Sequence, residues 1–137
     1  MFIHADETGI NVNGKRSLLH CAVNDRWTHF YPHEKRGAEA MDTIEILLNF
    51  SGKLIRDHWK PYYTYTTCGH GLCNAHHIRE LEWVIDYHPQ FTWAKKMQDL
   101  LLEIKGTVDK TEESCLDEAN TQAYHLQYRE AIKIGEQ

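Results

Sequence analysis

Alternating apolar and polar residues dominate the first third of the chain and predict β-strands. The clearest turn between them is Asn13-Gly14, because both central positions of a type I′ hairpin turn need a positive φ. A second turn is predicted at Asn24-Asp25, and Pro32 is expected to end the last strand. The pattern therefore predicts three antiparallel strands, drawn from the segments Phe2–Asp6, Ile10–Val12, Arg16–Val23 and Trp27–Tyr31.

The pattern then changes to a helical period and back to a strand. A helix is predicted over Ala38–Asn49, with one apolar face formed by Met41, Ile44, Leu47 and Leu48. The next run, KLIRDHWKPYY, predicts a buried strand that brings Asp57 to the rim of a sheet. A helix between strands implies a crossover, which makes this strand parallel to a member of the opening sheet. If it lies beside the first strand, Asp6 and Asp57 emerge at the same edge.

The second half of the chain has a mainly helical pattern. Tyr62–Gly71 is interpreted as a loop, Leu72–Ala75 as a short strand and Asp109–Ser114 as a polar turn. Apolar residues at helical spacing predict three further helices. The first begins at His76, the second covers Gln90–Lys105 and ends near Gly106, and the third covers Leu116–Ile134. The predicted order is βββαβ followed by helices.

Composition narrows the functional classes without choosing among them. The 137 residues suit one domain, and no apolar run approaches the length of a membrane span. With four scattered cysteines and no secretory signal, reduced thiols and a cytoplasmic location are expected. A net charge of −5 argues against a protein that simply coats nucleic-acid phosphates. It leaves open an enzyme whose metal ions meet the phosphates.

Two aspartates at strand ends form the first candidate site. Phosphoryl-transfer nucleases place carboxylates on adjacent strand ends to hold two Mg²⁺ ions, which prefer hard oxygen ligands. Asp6 and Asp57 occupy such positions in the predicted sheet. The alternative is that each aspartate merely ends a strand, where this residue is common.

A cluster of cysteines and histidines forms a second candidate, a zinc site. Its members fall within ten residues and are Cys68, His70, Cys73, His76 and His77. Zinc fingers usually separate their ligand pairs by a dozen or more residues, which this stretch does not. Zinc is therefore disfavoured, and a strand entering a helix explains the segment. A non-catalytic zinc-binding or helical interaction module is the alternative function.

His76, Arg79 and Glu80 form a third group at the start of the predicted helix. His76 and Glu80 are four residues apart and share a helical face. They are candidates to complete a metal site or, with Arg79, to contact DNA phosphates. An ordinary solvated first turn is the alternative.

Several phrases of the sequence together resemble one known family. These phrases are ADETGINVNGKR, LLHCAVND, FYPHEKRGAEAMD, RDHWKPYY and LCNAHHIREL. They resemble the catalytic region of transposases of the insertion sequence 66 family, a bacterial group, from Ala5 to about Val108. The resemblance implies a ribonuclease-H-like fold of the α/β (α+β) class and an Asp-Asp-Glu triad that binds two Mg²⁺ (or Mn²⁺) ions. It implies Asp6 and Asp57 as the first two catalytic, metal-binding residues, and DNA as the partner.

The departures from the family matter as well. The family's third carboxylate lies downstream in an Asn-Asn-x-x-Glu-Arg-like phrase, and this sequence contains no Asn-Asn pair. We therefore expect a partial ribonuclease-H-like catalytic core over residues 1–76 and a helical insertion region over 77–137. Such a fragment is expected to be inactive alone and to self-associate through exposed apolar surface. Glu80 is the candidate substitute for the third carboxylate.

Overall fold

The structure, a computed structural model, describes residues 1–112 and 115–136 of the chain. Glu113 and Ser114, which belong to the predicted polar turn, and the last residue Gln137 lie outside the described residues. The chain divides into two compact units, Met1–Cys73 and Asn74–Gln137. Their assignment as a catalytic core and a helical insertion stays a prediction.

The first unit is built on one mixed sheet. Its strands are β1 (Phe2–Val12), β2 (Lys15–Val23), β3 (Thr28–His33), β4 (Lys53–Arg56) and β5 (Gly69–Leu72). Their spatial order is β3-β2-β1-β4-β5. β1 and β2 are antiparallel, as are β2 and β3, whereas β4 is parallel to both β1 and β5. This βββαβ arrangement confirms the predicted ribonuclease-H-like fold of the α/β class.

The opening meander follows the predicted turn closely. Asn13 and Gly14 have φ values of 52° and 79°, which confirms the positive-φ turn between β1 and β2. β1 is one continuous strand rather than two short runs. The prediction that Pro32 ends β3 was wrong, because β3 continues to His33. β3 is an edge strand, where a residue without an N–H is tolerated.

The connection to β4 contains a shorter helix than predicted. Helix α1 covers Ala38–Ile44 and ends at Glu45, whose φ of 61° is left-handed. The predicted extension to Asn49 was therefore wrong. Beyond β4, a 3₁₀ helix occupies Lys60–Thr64 inside the predicted loop. The short strand predicted at Leu72–Ala75 lies earlier, as β5.

The core of the first unit is formed by the sheet, α1 and the segment after β4. Apolar side chains pack together there, including Ile3 of β1, Met41 of α1, Leu54 of β4 and Tyr62 of the 3₁₀ helix. Leu54 has no exposed surface. The strand that ends just before Asp57 is thus anchored from its buried face.

The second unit consists, over its described residues, of helices α2 (Asn74–Tyr87), α3 (Thr92–Lys110) and α4 (Glu118–Gly135). Leu81, Ala94, Met97 and Ala131 form its small buried core. Asp117 caps α4 by accepting a hydrogen bond from the Asn120 N–H at 2.8 Å, and these local hydrogen bonds lower the pKa of the Asp117 carboxyl. None of the described helices has the length and apolar character needed to cross a membrane.

Helix α3 continues through Gly106, where the pattern predicted an end. A Cβ at Gly106 would meet nothing within 4 Å. We therefore expect Gly106→Ala to stabilise the protein by about 0.5–1 kcal/mol, since glycine in a helix interior carries an entropic cost. Urea unfolding followed by helical circular dichroism measures this change.

Gly52→Ala is the control for that substitution, because here the same change is expected to lower the stability of the protein. A Cβ at Gly52 would clash with the Met1 carbonyl oxygen and would lie 2.5 Å from the Phe50 ring. This overpacking is expected to cost about 1–3 kcal/mol. A loss of stability in Gly106→Ala would show that the helix does not run straight through this residue.

Candidate active site

The two predicted aspartates lie at the ends of neighbouring parallel strands. β1 pairs with β4 through Phe2↔Lys53, Ile3↔Leu54 and His4↔Ile55. The same register, continued beyond the ladder, sets Asp6 opposite Asp57, the residue directly after β4. Asp6 of β1 and Asp57 therefore lie next to each other in register, at the end of β4. The predicted neighbourhood of the two strands is confirmed.

Backbone N–H groups orient both carboxylates. Asp57 Oδ1 accepts from the Trp59 N–H at 2.9 Å, and Asp6 Oδ1 accepts from the Glu7 N–H at 2.9 Å. Asp57 Oδ2 lies 3.8 Å from Nη2 of Arg36, and its side chain is 21% exposed. One oxygen of each carboxylate is thus held in place, and both groups offer the hard oxygen atoms that Mg²⁺ and Mn²⁺ prefer. The chemistry of this donor set fits such an ion.

Glu7 is a central residue that the sequence reasoning missed. Its side chain is only 2% exposed, and its two oxygens have separate partners. Oε1 accepts from Arg36 Nε at 2.6 Å, and Oε2 accepts from the Tyr62 hydroxyl at 2.9 Å. The alternation of side chains along β1 could have indicated that Glu7 is buried, because Ala5 and Glu7 face the side opposite to Asp6. A carboxylate on the buried face needs partners of this kind.

The Tyr62 hydroxyl links Glu7 to the aspartate pair electrostatically. Tyr62 is 1% exposed, and the pKa of its hydroxyl is raised far above the ordinary value of a tyrosine. Burial is the largest cause, followed by the charge and hydrogen bond of Glu7 and then by the charges of Asp57 and Asp6. The phenol therefore stays protonated and remains a donor to Glu7.

This raised pKa predicts a loss of stability at alkaline pH. The folded protein holds the Tyr62 proton more tightly than the unfolded chain, whose tyrosines titrate at about 10. The stabilisation is complete below that value and decreases as the pH rises through it toward the folded pKa. We expect the free energy of unfolding to fall above pH 10, as measured by urea titrations at several pH values.

Tyr62→Phe is the matched variant for that experiment. It removes the titrating hydroxyl and keeps the ring, so its stability should decline less steeply above pH 10. Burial and a hydrogen bond to Asp42 also raise the pKa of Tyr65. Tyr65 therefore accounts for part of the slope that remains in Tyr62→Phe. An unchanged slope in Tyr62→Phe would contradict the assignment.

The predicted cysteine and histidine cluster has other partners in the first unit. His70 Nε2 lies 2.9 Å from the Tyr65 carbonyl oxygen, and its Nδ1 lies 3.4 Å from Nε of the buried Arg56. The buried Cys68 thiol donates to the same carbonyl at 3.4 Å, and burial raises its pKa. Both ring nitrogens of His70 are thus engaged beside a guanidinium, which repels cations. This geometry does not favour a zinc site at Cys68, His70 and Cys73.

Arg56 connects this cluster to the aspartate site. It is 1% exposed and donates from Nη1 to the Asp57 carbonyl oxygen at 2.8 Å. Its guanidinium also lies over the Tyr63 ring, 3.7 Å from the centroid. Arg56 therefore fixes the backbone of Asp57 from the buried side.

The remaining predicted residues lie on α2 in the second unit. His76, Arg79 and Glu80 all fall within its first half. Within the helix, Glu80 Oε2 lies 3.9 Å from Nδ1 of His77, three residues earlier. The roles of Glu80 as a third carboxylate and of His76 and Arg79 as DNA contacts stay predictions.

Comparison with known proteins places the chain in a family. A few solved structures are distantly similar to the chain. The HTLV-2 integrase catalytic core domain in complex with magnesium, in its dimeric form, is 14% identical with a TM-score of 0.42, over 63% of this chain and 72% of that chain. The simian T-cell lymphotropic virus intasome in complex with PP2A regulatory subunit B56 gamma is 9% identical with a TM-score of 0.42, over 64% of this chain and 42% of that chain. No curated protein matches the sequence significantly.

The family model described as the IS66 family of transposases matches residues 1–134. This range contains β1 and β4 together with the aspartate that each strand presents. The chain therefore belongs to the IS66 family of transposases.

Proposed function

We propose that Asp6 and Asp57 are the first two metal-binding carboxylates of a DNA transposase catalytic domain. The observation that supports this proposal is the parallel pairing of β1 with β4, whose register, continued past Arg56, sets Asp57 opposite Asp6. The reaction is Mg²⁺-dependent cleavage of DNA strands and their transfer to a target. Transposon ends and target DNA are the partners.

The chain's own residues prepare the site for a divalent cation. Asp6 and Asp57 would hold Mg²⁺ or Mn²⁺, and the Trp59 and Glu7 N–H groups orient their carboxylates. The bound metal would activate a water or 3′-hydroxyl and stabilise the leaving oxygen. Without a cation the acidic pair repels DNA phosphates, so metal and DNA binding are expected to be coupled.

A third carboxylate is needed to complete the triad. Glu7 does not suit this role, because both of its oxygens are engaged by Arg36 and Tyr62. Glu80 on α2 is the candidate within this sequence, with His76 and Arg79 as the accompanying DNA contacts. Because the family's downstream glutamate phrase is absent from these 137 residues, the chain is proposed to be inactive alone.

We also propose that copies of the chain associate with one another. Several large apolar side chains of α4 are exposed, namely Leu126, Tyr128, Ile132 and Ile134. Exposed apolar surface of this kind favours contacts between copies. Sedimentation velocity at several concentrations tests the point, since a monomer at all of them would contradict it.

The test of the proposed function is calorimetric titration of Mn²⁺ into the wild type and Asp6→Ala. Binding by the wild type that is lost in the variant is expected. Equal binding in both proteins, or none in either, would contradict the metal site. Metal analysis of the purified protein tests the alternative zinc module, for which stoichiometric zinc that is lost in Cys73→Ala would be the evidence.

A further inference from the structure

Arg36 occupies a fixed position between two carboxylates of the first unit. Its guanidinium donates to Glu7 and lies over the Trp59 ring, 4.1 Å from the centroid. Trp59 in turn packs edge-on against Tyr62, with ring centroids 5.8 Å apart. A charge-assisted hydrogen bond and an aromatic face together restrict where this cation can go.

The two carboxylates are engaged unequally by Arg36. Glu7 receives a direct hydrogen bond of 2.6 Å from Nε and a second contact from Nη2. Asp57 Oδ2 lies 3.8 Å from Nη2, which is an ion-pair distance but not a hydrogen bond. Arg36 thus hydrogen-bonds Glu7 directly and only approaches Asp57. Its contact with Asp57 Oδ2 is long enough for this carboxylate to bind a cation as well.

We propose that Arg36 is a positioning residue that competes with the divalent cation for Asp57, and that Glu7 limits this competition by holding Arg36 back. The proposal rests on the proposed function, since it concerns the same metal site. A guanidinium within 4 Å of Asp57 opposes the approach of a second positive charge. The strength of its bond to Glu7 then determines how closely it approaches Asp57.

Two substitutions should change the metal affinity in opposite directions. In Glu7→Gln the side chain keeps its size and can still accept from Arg36, but the guanidinium loses its charged partner and moves toward Asp57. Mn²⁺ affinity should fall about tenfold, at the lower end of the effects of residues outside the ligand shell. In Arg36→Gln the competing charge is removed, and Mn²⁺ affinity should rise by a similar factor.

Opposite signs separate this role from a purely structural one. A substitution that only disturbs the site lowers the affinity in both variants. Arg36→Lys, which retains the charge without the forked geometry, should bind Mn²⁺ more weakly than Arg36→Gln. Lys35→Gln is the matched control, because it removes the neighbouring positive charge, which pairs with Glu39 at 3.1 Å. Its Mn²⁺ affinity should equal that of the wild type.

The experiment is calorimetric titration of Mn²⁺ into these proteins at one ionic strength, with thermal unfolding recorded for each. If Arg36→Gln does not fold, Arg36→Met, which also removes the charge but keeps an unbranched apolar stem, takes its place and should likewise raise the Mn²⁺ affinity. Wild-type binding with no change in Glu7→Gln and Arg36→Gln, or with changes of the same sign, would overturn the role of Arg36 and leave the metal site standing. Absence of binding in the wild type and every variant would overturn the metal site, and the role of Arg36 with it.

Discussion

Asp57→Asn is expected to weaken Mn²⁺ binding at least about tenfold, which corresponds to about 1.4 kcal/mol. The substitution keeps the size of the side chain and its acceptor for the Trp59 N–H. It removes one of the two negative charges that are neighbours in the register of β1 and β4. An amide oxygen is a weaker ligand for a hard divalent cation than a carboxylate. Calorimetry at constant pH and ionic strength gives the affinity.

Asp25→Asn is the control for that measurement. Asp25 lies in the turn between β2 and β3 and pairs only weakly with Arg26, at 3.8 Å. The same loss of charge at this exposed position should leave the affinity for Mn²⁺ nearly unchanged. Equal weakening by both variants would mean that overall charge, rather than a site at Asp57, attracts the metal.

Leu54→Ala is expected to lower the free energy of unfolding by about 2–5 kcal/mol. Leu54 has no exposed surface and lies in β4 between β1 and β5. Its removal leaves a cavity beneath the strand that carries Asp57. For a unit of this size each kcal/mol corresponds to roughly 4–8 °C in Tm, so the change is easily seen by calorimetric unfolding.

Leu48→Ala provides the comparison for this effect. The leucine at 48 follows α1 and is 48% exposed, so the same truncation should cost far less than at Leu54. A small loss in Leu54→Ala, comparable with that of Leu48→Ala, would show that β4 is not held in the core as described.

The order of strands and helix along the first half of the chain could be predicted because it depends on short-range signals. Asn13-Gly14 fixes the first hairpin through its backbone conformation. An apolar run that ends on Asp57, with a helix before it, implies a parallel strand. These local features made a shared edge for Asp6 and Asp57 one possibility, and the resemblance to the transposase family made it the preferred interpretation.

The polar contacts around the pair could not be predicted, because they join distant parts of the chain. Arg36 meets Glu7 across 29 positions, and Tyr62 meets Glu7 across 55. In the sequence Arg36 is half of a charged pair, Lys35-Arg36, and such a pair is most often solvated surface. Only the folded structure shows that Arg36 contacts Glu7, whereas Lys35 pairs with Glu39.

Errors in element ends have a similar physical cause. The helical pattern before β4 continues in sequence beyond Ile44, but the backbone turns at Glu45 so that Leu47 and Phe50 can enter the core. At Gly106 the helix continues despite the low propensity of glycine. Core packing explains the first case, and in the second a single glycine was too weak a signal to end the helix.

The most direct test of the two-aspartate site is paramagnetic broadening of amide NMR signals by substoichiometric Mn²⁺. A single bound ion should broaden the signals of the residues around Asp6 and Asp57 first, including Glu7 and Trp59, and Asp57→Asn should greatly reduce the effect. Broadening centred on other acidic residues, such as Glu118 and Glu130 of α4, with Asp6 and Asp57 unaffected, would contradict the site.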